Sequence, residues 1–219
     1  MSFITLAFQQ TFNWPKIIRY ILCAAIPATL FYGFSFSTLS NEGFETIEIV
    51  RDPLQQLDAS SFLGFLSNIG SWIWVSSVAI CYFTAFNVGS NFDKNRKELL
   101  ILVGMLLSVI AVDDFFLIHD RYINENICYA VYAVCGGLLM LRQFKTILEI
   151  DGFAFMCAGG FLAASIATDV VTWHLETHLH LTYDAIQIME EGFKFVGAAS
   201  WLYFSTRIAS DSLNLKSKQ

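Results

Sequence analysis

Six long apolar stretches, each near the roughly 20 residues that a transmembrane helix needs to cross about 30 Å of hydrocarbon, restrict this chain more than any other feature. They cover residues 17–38, 61–88, 98–119, 126–148, 152–174 and 184–209. The chain is 55% hydrophobic and 15% charged, with a mean hydropathy of +0.54. A soluble domain carries nearer a quarter charged residues, so a bilayer is the expected solvent. The reading is an all-α polytopic bundle of about six transmembrane helices forming a single domain, residues 1–219. Pro27 is expected to kink the first span, which neighbouring helices tolerate.

Lys and Arg gather on one side of these runs. Ten basic residues, Lys16, Arg19, Lys94, Arg96, Lys97, Arg142, Lys145, Arg207, Lys216 and Lys218, fall on the N-terminal side of the topology. Arg51 and Arg121 fall on the other, and Lys194 lies within a run. Positive charge marks the cytoplasmic face, so both termini are expected inside, in a multi-pass protein of the bacterial inner membrane.

The N-terminal charge follows the apolar stretch and no small-residue cleavage site comes after it, unlike a signal peptide. Phe3, Ile4, Ala7, Phe8, Phe12 and Trp14 before Pro15 predict a short interfacial helix. The first outer loop, residues 39–60, carries Glu42, Glu45, Glu48, Asp52 and Asp58 among Phe44, Ile47, Ile49, Val50, Leu54 and Leu57. It reads as an inert interfacial segment in preference to a lid. Cys23, Cys81, Cys128, Cys135 and Cys157 are odd in number and make no C-x-x-C pair, so they read as packing residues.

On this topology all four histidines and fourteen of the nineteen acidic residues lie toward the outer side. Asp113 and Asp114 are near the outer end of span three, Asp169 near that of span five, and Glu190 and Glu191 at a similar depth in span six. Asp113 and Asp120 share a helix face, and Asp184, Gln187, Glu191 and Lys194 form a stripe. Such stripes face a bundle interior or a wet cavity, because lipid offers no hydrogen-bond partner. Each charged group costs on the order of 2.5 to 3.5 kcal/mol at a helix centre, less near the ends. Lys194 offsets part of that for Glu190 or Glu191; the other acids must be protonated, hydrated, hydrogen-bonded or bound to a cation. Asp113, Asp169 and Glu191 are expected to share one interior cavity.

Mixed oxygen and nitrogen donors suit a divalent metal such as zinc, iron or manganese. The expected ligand set is Asp113, Asp114, His119, Asp120, Asp169, His174 and His178, the last two at helical ligand spacing. In an enzyme, the metal would acidify a bound water, Glu190 or Glu191 would serve as general base, and Lys194 would stabilise developing negative charge. The substrate would be lipid-like, entering from the bilayer. A proton- or cation-coupled transporter built on the same carboxylates is the alternative. A third reading is an accessory subunit, with Gly159, Gly160, Ala163, Ala164, Gly197 and Ala198 allowing close helix packing.

The segments DDFFLIHDR, from Asp113, and MEEGFKFVGAASWL, from Met189, resemble a pattern of bacterial polytopic membrane proteins: D-D-x4-H-[DE] followed by a later E-E. That resemblance implies a membrane location and no particular activity. His174 and His178 are similar to the H-x-x-x-H of the alkaline ceramidase and adiponectin-receptor hydrolases, a resemblance that implies zinc and lipid-amide hydrolysis. The S-x-x-x-H of that superfamily is absent, and the six runs fall short of its seven helices. No phosphate loop, nucleotide fingerprint, nucleophile elbow or nucleic-acid patch is present, and membrane lipid is the expected partner.

Overall fold

The computed structural model describes residues 21–50, 53–60, 62–87 and 93–217, together with Trp14 and Ile18. Phe3, Ile4, Ala7, Phe8, Phe12 and Pro15 of the expected interfacial helix lie outside the described residues, as do Lys16, Arg19, Arg51, Asp52 and Lys218. So do the side chains of Cys23, Pro27, Ile47, Asp120 and Lys216. Regular structure among the described residues is entirely helical, and the chain divides into two units, Met1–Leu63 and Gly64–Gln219.

In the first unit a π-helical turn, Ile21–Ala25, runs into α1, Ile26–Asn41. Pro27 sits in the first turn of α1, directly after the π-helical turn. The widened turn lies just before it, at the place where the sequence predicts a kink. Gly43, at φ +97°, takes the left-handed conformation that ends the run. Two short helices, α2 (Thr46–Val50) and α3 (Pro53–Gln56), occupy the acidic loop, and the Glu48 carboxylate accepts from the Glu45 N–H at 2.8 Å.

The second unit holds α4 (Phe65–Asn87), α5 (Lys94–Phe116), α6 (Ile118–Arg121), α7 (Glu125–Val170), α8 (Thr172–Leu179) and α9 (Tyr183–Ser217). Short polar side chains set the starts: Asp93 accepts from Asn95 N–H at 3.0 Å, and Asn124 from Asn126 N–H at 3.0 Å. Leu117, at φ +52°, ends α5, and its N–H returns to the Asp113 carbonyl. Among the described residues three helices, α4, α5 and α7, are long and apolar enough to cross a membrane, consistent with an integral membrane protein.

A straight helix of the 46 residues in α7 would reach about 69 Å, more than twice the hydrocarbon thickness. The run is not straight. Gln143 (φ −110°, ψ 16°) and Asp151 (φ −168°, ψ 80°) leave helical geometry, and Asp151 caps the second arm by accepting from Ala154 N–H at 3.0 Å. Residues 125–143 and 151–170 thereby form two arms, and the Tyr129 hydroxyl on the first reaches Asp169 on the second at 2.6 Å.

The expected fifth span, by contrast, stops short of its predicted end. Val171 (φ −98°, ψ 9°) breaks the helix, so His174 and His178 belong to α8 and not to the helix that carries Asp169.

Trp74, Leu99, Leu100, Val103, Leu107, Phe204 and Ile208 form the centre of the core. On the outside of the same helices, Phe83, Phe86, Leu141, Phe153 and Met156 are each at least 69% exposed. Aromatic and aliphatic side chains turned outward at this density suit lipid, not water. At one end of the bundle Arg96 joins Asp93 at 2.5 Å, Asp211 at 2.6 Å and Glu149 at 3.8 Å. Arg142 meets Glu98, and Arg207 lies 3.5 Å from Asp151. These pairs tie the ends of α5, α7 and α9 together and leave the opposite end of the bundle to the acidic cluster.

Candidate functional site

A cavity of about 750 Å³ lies among α4, α5, α7 and α9. Its polar lining comes from one end of those helices: Asp113 and Asp114 on α5, Tyr129 and Tyr132 at the start of α7, Asp169 at its end, Glu190 and Lys194 on α9, with His119 on α6. Toward the other end the walls turn apolar, with Leu106, Ile110, Met140, Phe155, Leu162 and Trp201. Neighbouring helices run in opposite directions, so residues distant in sequence reach one depth.

Asp113 is the most enclosed of these carboxylates, at 6% exposure. It accepts from the His119 N–H at 2.8 Å and the Tyr132 hydroxyl at 2.5 Å, and its Oδ2 stands 2.7 Å from His119 Nδ1. The α5 break makes this possible: the left-handed Leu117 swings the chain so that His119 turns back onto the helix it has just left.

The other acids find donors too. The Tyr129 hydroxyl donates to Asp169 Oδ2 at 2.6 Å, and Gln187 Nε2 donates to Glu190 Oε2 at 3.0 Å. Lys194 Nζ donates to Glu191 at 2.6 Å and stands 3.4 Å from Asp114. Unpaired burial of such groups would cost several kcal/mol each, and these hydrogen bonds offset it.

Asp114, Lys194 and Trp74 also line a second cavity of about 510 Å³ between α4 and α9, together with Glu191, Gln187 and Gly70. The ion pair is thus a wall shared by two chambers. Of the residues expected from sequence, Asp113, Asp114, His119, Asp169, Glu190 and Lys194 line the larger chamber, and Glu191 lines the smaller. The expectation that Asp113, Asp169 and Glu191 share one cavity is corrected at Glu191, whose place is taken by Glu190.

His174 and His178 line neither chamber. They are exposed on α8, stacked on each other with ring centroids 5.7 Å apart and set edge-on to Trp173. Asp120 contributes a side chain outside the described residues. Among the described residues, no three His, Cys, Asp or Glu side chains form a group that could hold a metal ion.

Sequence reasoning missed Tyr129 and Tyr132, which supply the donors for Asp169 and Asp113. Tyrosines near a span end read as members of an interfacial belt. The signal that finds them is spacing: Tyr129, Tyr132 and Gly136 recur at helical intervals on one face, and a face carrying glycine and hydroxyls belongs inside a bundle.

Regular structure that is entirely helical among the described residues, three of those helices fit to cross a membrane, and a largely apolar cavity with its charged groups at one end define the class. The chain belongs to the family described as domain of unknown function (DUF8692), whose family model matches residues 20–208. No curated protein and no solved structure matches it.

Proposed function

We propose that this protein is a six-span membrane protein with both termini in the cytoplasm, whose larger cavity takes a lipid-like amphiphile from the bilayer. The polar end of that cavity would lie toward the extracytoplasmic face and act on, or recognise, the head of the amphiphile. Positive charge at the Arg96, Arg142 and Arg207 end supports the orientation. The two α7 arms and the 35-residue α9 are each long enough for a span, which supports the count.

One observation carries the reading: the cavity has apolar walls along most of its length and gathers its charged groups at one end. That is the shape and polarity of an amphiphile, and its volume falls in the usual range for small-molecule sites, about 300 to 1,000 Å³. His119, oriented by Asp113, is the group suited to general acid–base work there, with Glu190 lining the same chamber. Hydrolysis of a lipid-like substrate is a chemistry this set would support.

A second reading places a divalent cation among the same groups. Asp113, His119, Asp169 and Glu190 line one chamber, which favours it. It requires side chains to leave their present hydrogen bonds to converge on the ion.

The test is to purify the protein, extract whatever small molecules accompany it, and compare them by mass spectrometry with those held by Gly159→Phe. A Cβ at Gly159 meets no atom within 4 Å and the residue lines the chamber, so this is the position chosen for a ring to take up cavity space. A lipid-like molecule retained by the parent and lost from the variant supports the proposal. Identical extracts from both would remove it.

A further inference from the structure

We infer that the amphiphile held in this cavity carries a positively charged head, an ammonium or its equivalent. The inference rests on the cavity reading above and adds the chemistry of the occupant.

Charge in the lining is lopsided. Asp113, Asp114, Asp169 and Glu190 face the chamber against one lysine and one histidine. The acidic groups outnumber the basic ones by two. Lys194 is already committed, at 2.6 Å to Glu191 and 3.4 Å to Asp114. A phosphate, sulfate or carboxylate head would meet these carboxylates with repulsion, and an uncharged head would leave them to their hydrogen bonds, to water or to protonation. A cationic head is drawn to them. Tyr129, Tyr132 and Trp74 add aromatic surface beside the carboxylates, a setting that suits an ammonium group.

Two features separate an organic cation from a bare metal ion. Among the described residues no three ligating side chains are grouped, whereas the chamber extends for about 750 Å³ along apolar walls that an ion has no use for. The carboxylates are also spread over three helices, each tethered to its own donor, as suits a head that touches several of them through hydrogen bonds.

The experiment compares three molecules with one chain and different heads: hexadecylamine, hexadecanol and palmitate. Each is titrated into the full-length protein in nanodiscs of zwitterionic lipid, and the unfolding temperature is followed for the parent, Asp169→Asn, Glu190→Gln and Gly159→Phe. Asn keeps an acceptor for Tyr129 and Gln keeps the size of Glu, so both variants retain local packing. The expected result is a saturable rise with the amine alone, lost in Gly159→Phe and needing about tenfold more amine in each charge-neutral variant.

Equal rises with all three molecules that Gly159→Phe abolishes would overturn the charged-head inference and leave the cavity reading standing. No saturable rise with any of them, or rises that Gly159→Phe leaves intact, would overturn both. One tightly held metal ion per chain, with stability lost on adding chelator, would overturn the inference in favour of the cation site.

Discussion

Tyr129 and Asp169 stand forty positions apart on one helical run, yet the hydroxyl of the first donates to the carboxylate of the second at 2.6 Å. On a straight helix they would be separated by about 60 Å. Their contact is the closing link of the α7 hairpin and also holds one of the cavity's acids in place.

That double role yields the first prediction. Tyr129→Phe leaves Asp169 without its donor and should destabilise the protein by about 1 to 3 kcal/mol, whereas Asp169→Asn still accepts from Tyr129 and should cost less. Thermal unfolding of both single variants and the double variant gives the coupling. Strictly additive effects would mean that the bond contributes nothing to holding the arms together.

Asp113 accepts from His119 and Tyr132 together, so removing it orphans several donors at once. Asp113→Ala should therefore destabilise by about 3 kcal/mol or more, and Asp113→Asn by less, since the amide oxygen still accepts. Unfolding midpoints in detergent check this. An Ala variant as stable as the parent would show that the cluster is not what organises this end of the bundle.

Two glycines on facing helices should behave oppositely. A Cβ at Gly197 would stand 3.2 Å from Leu162, its backbone nitrogen included, while one at Gly159 meets open space. Gly197→Leu should cost about 1 to 3 kcal/mol through overpacking, and Gly159→Leu should be close to neutral for stability. Reversed outcomes in a thermal melt would contradict the packing described for α7 against α9.

Much of this was legible in the sequence, and its failures are instructive. Apolar runs locate the helices because a bilayer leaves the backbone no other way to satisfy its hydrogen bonds. Depth along those runs likewise points to Asp113, Asp169 and the Glu pair as one level. Periodicity does not reveal which of two adjacent acids a lysine will capture. Lys194 holds Glu191, three residues back, and Glu190 turns to the chamber and Gln187. Nor does spacing show that the helix stops at Val171, which carries His174 and His178 away from Asp169. The tyrosine donors were hidden because an interfacial tyrosine and an inward one look alike until a partner is known.

The proposed orientation has its own check. In a background with the native cysteines replaced, a cysteine at Ser40 should react with an impermeant thiol reagent added outside intact cells, and one at Ser217 should not. Labelling of Ser217→Cys from outside would reverse the assigned faces and place the acidic cavity toward the cytoplasm.

Occupancy of the cavity is the claim on which the account turns, and photolabelling tests it most directly. Membranes containing the protein would be loaded with a long-chain amine bearing a diazirine on its alkyl chain, irradiated, and the labelled peptides mapped. Labels on Gly136, Met140, Phe155 and Leu162, suppressed by excess unlabelled amine and absent from Gly159→Phe, are the predicted result. Labels confined to outward residues such as Phe83, Phe86, Phe153 and Met156, unchanged by competitor, would mean that the chain only meets lipid at its surface and would contradict the account.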